Sequence, residues 1–463
     1  MEPRDLAFVG AAEQARMLAA GTITAPALLE TYLERITRLD PRLHSYRVLL
    51  CDTARVEAAA AQQRLDAGER LPLLGVPVAV KDDVDVAGQT TTYGTSAHGP
   101  AVSQDAEVVR RLRAAGAVII GKTAVPEMMM FPFTESLTFG ATRNPWDVSR
   151  TPGGSSGGSG AAVAAGLAAM ALGSDGAGSI RIPSSWCGLF GLKPQRDRVS
   201  LAPHDDAWCG LSVNGPLARS VEDAALFLDA TTTVPGPDGG FAAAAARDPG
   251  TLRIALSTKV PPPLITRFGR AQRAAVDEAG ALLRQLGHQV VVRDPDYPAT
   301  AIQGHLLPRY YRGIYDDVRK LPHPERLEAR TRNAARIGRL FSDRRIAAIR
   351  AEEGTLTARV GSIFGDVDVV VTPATASGPS RIGAYQRRGA VSTFAMAAAR
   401  VPFNAMFNLT GQPAAVVPWG SDREGLPVAI QLVGRPYDEA TLLALAAQIE
   451  RARPWAHRRP SVS

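Results

Sequence analysis

Cysteine is scarce in this chain. The three cysteines among 463 residues, Cys51, Cys187 and Cys209, are odd in number and contain no CxxC pair. That excludes a disulfide framework and fits a reducing cytoplasm. Histidine is sparse as well. The seven, at positions 44, 98, 204, 288, 305, 323 and 457, never approach HExxH or another ligand spacing, so neither a metal nor a cofactor is expected. Long hydrophobic runs are missing too. The longest uncharged run, Thr151 to Ser174, is mostly Gly, Ser and Ala and too weakly hydrophobic to span a membrane. Met1-Glu2-Pro3-Arg4-Asp5 leads into an amphipathic helix pattern rather than an apolar leader, so no secretory signal is expected.

Lysine is the other shortage, with only Lys81, Lys122, Lys193, Lys259 and Lys320 among 52 basic residues. The net charge of +7 therefore rests on arginine. Its densest stretch, Arg326 to Arg350, holds Arg330, Arg332, Arg336, Arg339, Arg344 and Arg345 interleaved with Glu325, Glu328 and Asp343. That pattern reads as a solvated helix face, and no RRM, zinc-finger or helix-turn-helix signature supports a nucleic-acid partner.

The pattern of what is present changes along the chain. Residues 1–70 read as a helical N-terminal segment, with apolar spacing at Leu28, Leu29, Tyr32, Leu33 and Ile36. From there strands alternate with helices: strands over 76–80, 117–120 and 168–172, helices over 106–115 and 161–166. Near-continuous apolar strands in such alternation indicate an α/β layered fold. Residues 231–250, with Pro235, Pro237, Gly239 and Gly240, are the most linker-like stretch. The C-terminal half, 251–463, predicts strands at 252–256, 290–292, 368–371 and 428–433. Helices are expected at 272–286 and 439–450, with a helical insertion over about 298–363.

The chemistry is concentrated at 151–181, TPGGSSGGSGAAVAAGLAAMALGSDGAGSIR. Ser155, Ser156 and Ser179 lie in tight Gly turns, and upstream the apolar run Val76–Val80 delivers a lone Lys81. Together these form a Ser/Ser/Lys hydrolytic constellation that needs no histidine. Ser179 is the best nucleophile, because Gly176-Ala177-Gly178 before it leaves backbone N–H groups free to turn toward a substrate carbonyl. A serine hydroxyl needs a base, and Lys81 serves if burial lowers its pKa. Gly153-Gly154-Ser155-Ser156-Gly157 formally fits GxSxG, but the turn-like segment 144–152 precedes it instead of a strand. A P-loop fails because Ser159 stands where Lys is required.

Longer ordered blocks surround these residues: Gly75-Val76-Pro77-Val78-Ala79-Val80-Lys81-Asp82, Arg143-Asn144-Pro145-Trp146, Pro152 to Ser159, Gly178-Ser179-Ile180-Arg181-Ile182-Pro183 and Cys187 to Pro194. Val371-Thr372-Pro373, Phe407-Asn408-Leu409-Thr410-Gly411 and Leu426 to Pro436 follow downstream. In these blocks the chain resembles the amidase signature family, serine hydrolases that cleave carboxamides. The resemblance implies an α/β amidase signature fold in a single 463-residue domain, with one large mixed central sheet shared by both halves of the chain and helices on both faces. It also implies an acyl-enzyme mechanism with Ser155 as proton relay behind a cis peptide bond. An oxyanion hole is implied at the backbone amides of Gly176, Ala177, Gly178 and Ser179. The family usually has Thr-Gly-Gly-Ser there, and a Cβ at Ala177 would be awkward if that position needed positive φ. Ser156 is expected as a supporting hydrogen bonder, with Asp175 and Arg181 as scaffolding beside the nucleophile. Lys122 and Lys193 are assigned packing or capping roles.

Two segments are expected to set substrate choice. Met128, Met129, Met130, Phe131 and Phe133 supply adaptable apolar surface, and Trp208 lies in a turn-rich loop as a lid aromatic, with Asp205 and Asp206 facing solvent or disfavouring anions. The expectation is a hydrolase of small apolar or aryl amides, with carbamates or esters as relatives, free of nucleic-acid and membrane partners. The alternative is the glutaminase A-type subunit of a tRNA-dependent amidotransferase.

Overall fold

The computed structural model describes residues 3–463; Met1 and Glu2 of the expected N-terminal helical segment lie outside the described residues. Thirteen strands are present among the described residues. They are β1 Tyr46–Leu49, β2 Pro77–Lys81, β3 Val118–Thr123, β4 Glu135–Ser136, β5 Gly140–Ala141, β6 Met170–Asp175, β7 Phe190–Lys193, β8 Val213–Ala218, β9 Arg253–Leu256, β10 Gln289–Val292, β11 Val369–Pro373, β12 Ala414–Ser421 and β13 Pro427–Val433. Eleven form one sheet in the order β1-β3-β2-β6-β8-β7-β12-β13-β11-β9-β10, while β4 and β5 make a small hairpin.

The sheet is mixed. β3, β2 and β6 are parallel to one another, as are β11, β9 and β10. The strands from β6 through β8, β7, β12 and β13 to β11 pair antiparallel. The two halves of the chain join at β7 and β12, where Lys193 stands opposite Ala414. One sheet therefore does span both halves. Its central strands β2 and β6 are buried along their whole length, as parallel strands covered on both faces must be.

Several elements differ from expectation. β1 interrupts the helical N-terminal segment, and the helix Gly240–Ala246 lies inside the linker-like stretch. β8 escaped notice because Gly215 and Pro216 punctuate it, yet Pro216 stands opposite Leu172 in mid-sheet. β12 contains Pro418 at a shift of register, where a bulge accommodates it. The helix expected over 161–166 begins earlier, at Gly157, and all eight residues of Gly157–Ala164 are buried. A Cβ on Gly158 would stand 2.4 Å from Ala124 N and 2.5 Å from Ser45 O, so only glycine lets this helix lie so close to its neighbours.

The insertion forms a cap with its own core. A π-helical turn Ala301–Leu306 leads into the helices Leu307–Val318, Ala329–Gly338, Asp343–Ala351 and Glu353–Gly361. Apart from Asp343–Ala351, these elements and helix Ala390–Ala398 pack around Met128, Met130, Phe131, Phe133 and Trp208. The arginine-rich face is solvated only in part. Arg336, Arg339, Arg344 and Arg345 are exposed, but the Arg330 guanidinium lies 4.8 Å from the Phe131 ring centre, and Arg350 pairs with Asp206 at 3.2 Å.

Candidate active site

β2 ends on Lys81, which is fully buried. Its Nζ lies 2.8 Å from Ser155 Oγ, 2.7 Å from Ser174 Oγ and 3.1 Å from Asp83 Oδ2. Ser174 Oγ donates in turn to Asp83 Oδ2 at 2.5 Å. Burial pushes the Lys81 ammonium below its ordinary range, and Asp83 and Asp175 pull it only part of the way back.

Parallel pairing explains why these groups meet. Val80 stands opposite Leu172, so β2 and β6 reach the same edge of the sheet together, delivering Lys81 and Ser174 side by side. Two loops complete the site. The Gly154–Ser155 peptide is cis, and Thr134 Oγ1 donates to Gly153 O at 2.8 Å, anchoring that loop. Ser156 N–H donates to Ser179 O at 3.2 Å, fastening the two serine loops together, while Ser156 Oγ donates to Ser174 O.

Ser179 is half-buried, and its hydroxyl has no hydrogen-bond partner among the described residues. The turn before it is held from beneath by Asp175. Gly178 N–H donates to Asp175 Oδ1 at 2.6 Å and Ile180 N–H to Oδ2 at 3.2 Å. The Gly178 amide, one of the four expected to form an oxyanion hole, is therefore already committed to Asp175. The amides of Gly176, Ala177 and Ser179 have no protein acceptor among the described residues. The strained position is Gly178, with φ +122°, and Ala177 carries no positive φ. A Cβ on Gly178 would meet Asn404 Cβ at 2.7 Å.

Asp175 and Arg181 form a fully buried two-point ion pair at 2.9 and 3.0 Å. Arg181 also donates to Asn404 O, Gln431 Oε1 and Asn408 Oδ1, and Asn408 Nδ2 returns to Asp175 Oδ1 at 2.9 Å. Burial alone would push the Asp175 carboxyl up, but Arg181 and Asn408 outweigh it and hold it well below the usual range. The C-terminal blocks thus brace the Ser179 turn. Of the two lysines set aside, Lys122 pairs with Asp82 at 2.9 Å, and Lys193 donates to Pro194 O at 2.8 Å; both are buried.

Ser179 opens on a cleft with two arms. An apolar arm is lined by Met129, Met130, Phe131 and Trp208, facing Ile302, Leu306 and Tyr310 of the cap and Phe394, Ala398 and Val401. Met128 lies on the other arm instead, and Phe133 is behind the wall, stacked between Phe131 and Tyr385. Trp208 borders both arms but is not a lid. It is buried, donates from Nε1 to Asp317 Oδ2 at 3.2 Å and meets Tyr310 edge-on. Asp205 and Asp206 are exposed.

Sequence reasoning missed Asp83 and Ser174 at the lysine. Both adjoin motif residues, but only the strand pairing turns them toward Nζ. It also missed the cap and 394–405 as walls, since nothing local marks which face of those helices meets the cleft. Among the described residues, no cluster of three or more His, Cys, Asp or Glu suited to a metal ion occurs, and no helix is long and apolar enough to cross a membrane.

The amidase family model matches residues 27–443, and the chain belongs to that family. It is similar to "Putative amidase AmiB2" of Mycobacterium tuberculosis (strain ATCC 25618 / H37Rv), at 73% identity over 100% of both chains. The A-type subunit of the glutamyl-tRNA(Gln) amidotransferase of Roseiflexus castenholzii is 36% identical over 97% of each chain. Among solved structures, 6-aminohexanoate cyclic dimer hydrolase superposes with a TM-score of 0.87 at 30% identity, covering 98% of this chain and 99% of that one. The protein is an amidase, a hydrolase of carbon–nitrogen bonds that acts on amides.

Proposed function

We propose that this amidase works through a Ser179–Ser155–Lys81 triad on amides with an apolar or aryl acyl group. The observation that carries the reading is Lys81 itself: buried, depressed in pKa and 2.8 Å from Ser155 Oγ. In its neutral form Lys81 takes the Ser155 proton while Ser155 takes that of Ser179. Ser179 Oγ then bonds to the carbonyl carbon. The developing oxyanion is met by free amides of Gly176, Ala177 and Ser179, each such donor contributing about 3 kcal/mol in the transition state. The carbon–nitrogen bond breaks as the proton returns through Ser155 to the leaving nitrogen. Water, deprotonated along the same path, releases the acid and restores Ser179. Carbamates and esters pass through the same tetrahedral geometry and are within reach of the same groups.

The apolar arm supports an acyl group of that kind, because each buried CH₂ is worth roughly 0.8 kcal/mol, about fourfold in kcat/KM. Glutaminase chemistry is the weaker reading despite the 36% identity to an amidotransferase component. The acyl half of glutamine carries an ammonium and a carboxylate, and no charged side chain among the described residues lines that arm. The nearby Arg181 is fully engaged by Asp175, Asn404, Asn408 and Gln431.

A fluorophosphonate probe tests the assignment. Peptide mapping is expected to find the label on Ser179, and Ser179→Ala is expected to abolish labelling and turnover together. A label on Ser155 or Ser156 refutes it.

A further inference from the structure

The second arm of the cleft carries charged side chains that the first lacks. Asp83, Asp206 and Asp317 line it together with Tyr93 and Trp208. Ser155 and Ser174 open on this arm and not on the apolar one. If Ser155 returns the proton to the departing nitrogen, as the proposed triad requires, the amine half of the substrate lies here and the acyl half lies opposite.

The carboxylates of this arm are under-compensated. Asp317 accepts Trp208 Nε1 at 3.2 Å and faces Lys320 Nζ at 3.6 Å. Its side chain is 31% exposed; partial burial pushes its carboxyl up, and Lys320, Trp208 and His204 bring it only part of the way back. The Asp83 side chain is 9% exposed, and its Oδ1 has no hydrogen-bond partner among the described residues. Tyr93 lies in the combined field of Asp85, Asp317, Asp83 and Asp82, which adds to burial in pushing its phenol up. The basic groups facing these carboxylates are Lys81 on Asp83, Arg350 on Asp206, Lys320, which is 66% exposed, and His204, which lines the arm beside Asp317. When Lys81 is neutral, as the reaction needs, the balance tips further toward negative charge.

We propose that the acidic arm selects amides whose amine half carries a second, protonated amine, such as monoacylated linear diamines, with Asp317 meeting the ammonium and the Tyr93 and Trp208 rings flanking it. An ammonium there gains a charge-assisted hydrogen bond and favourable ring faces.

The test is a matched pair of butanamides, N-pentyl and N-(4-aminobutyl), which differ by CH₃ against NH₃⁺ at the far end, with N-(3-carboxypropyl) as the anionic control. The aminobutyl amide is expected to exceed the pentyl amide in kcat/KM by about tenfold, the worth of one charge-assisted hydrogen bond. Added salt is expected to narrow the ratio. Asp317→Asn, which keeps an oxygen for Trp208 Nε1, is expected to bring the ratio toward one, and Lys320→Ala to raise it. A wild-type ratio of one or less, an unchanged ratio in Asp317→Asn, or preference for the carboxylate overturns the inference. So does failure to hydrolyse the aminobutyl amide by protein that still labels at Ser179, which leaves the hydrolase reading standing. Loss of Ser179 labelling counts against that reading and takes the inference with it.

Discussion

Replacing Asp83 with Asn removes one charge from beside Lys81 while keeping a side-chain oxygen for Ser174 Oγ. The carboxylate lies 3.1 Å from Nζ. At an effective dielectric of about 20, that separation corresponds to about 5 kcal/mol of attraction, or about four pH units. Opposite charges at this range move measured pKa values by about one to three units, because water and relaxation absorb the remainder. The sign follows from the two opposed causes. Burial lowers the Lys81 pKa and Asp83 raises it, so the Asn variant leaves burial unopposed. Neutral Lys81 then persists to lower pH, and the acid-side inflection of kcat/KM is expected to move down by about one to three units. A weaker base is also a poorer one, so the plateau at high pH is expected to fall. The assay is a pH profile of kcat/KM on a chromogenic anilide, with thermal denaturation at each pH to establish that both proteins are folded. An inflection that stays in place in Asp83→Asn would falsify Lys81 as the titrating base.

Gly178→Ala puts a Cβ at φ +122°, 2.7 Å from Asn404 Cβ. A loss of about 1–3 kcal/mol in stability is expected from the backbone alone, with about 100-fold lower kcat/KM from a displaced Ser179; melting curves and steady-state rates read both. Glu450 supplies a stability test away from the site. Its carboxyl is pushed up to about 7 by burial, with Asp223 and Glu222 adding to the effect. The unfolded chain ionises near pH 4.3, so this penalty is absent at pH 4 and complete above pH 7. Glu450→Gln, which keeps an acceptor for the Val221 amide, is expected to stabilise the protein by about 1–3 kcal/mol at pH 8 and not at pH 4. Denaturant melts at the two pH values measure the difference.

Much of the fold was legible because buried parallel strands leave an unambiguous local mark. Pro77–Lys81 and Val369–Pro373 are short apolar runs between turn signals, and they are fully buried strands. Among the strands that escaped, Val213–Ala218 and Ala414–Ser421 carry Gly215, Pro216 and Pro418, residues that locally favour turns. Tertiary pairing overrode that preference. The pocket was half legible for a similar reason. Met130 and Phe131 face the cleft and Phe133 does not, although all three are equally apolar. Only the backbone path decides which of them turns outward.

The sequence by itself determined the chemical vocabulary: two Gly-borne serine loops and a lysine ending a buried strand. Those features are local, set by side-chain type, turn propensity and hydrophobic periodicity. Tertiary structure decided what the groups meet. Parallel pairing brought Ser174 and Asp83 to the lysine, and Asp175 claimed the Gly178 amide for the turn it braces. The cap closed an apolar arm on one side of Ser179 and left carboxylates on the other. Each of these depends on distances between residues far apart in the chain, and hydrogen bonds and charges act across those distances, not along the sequence.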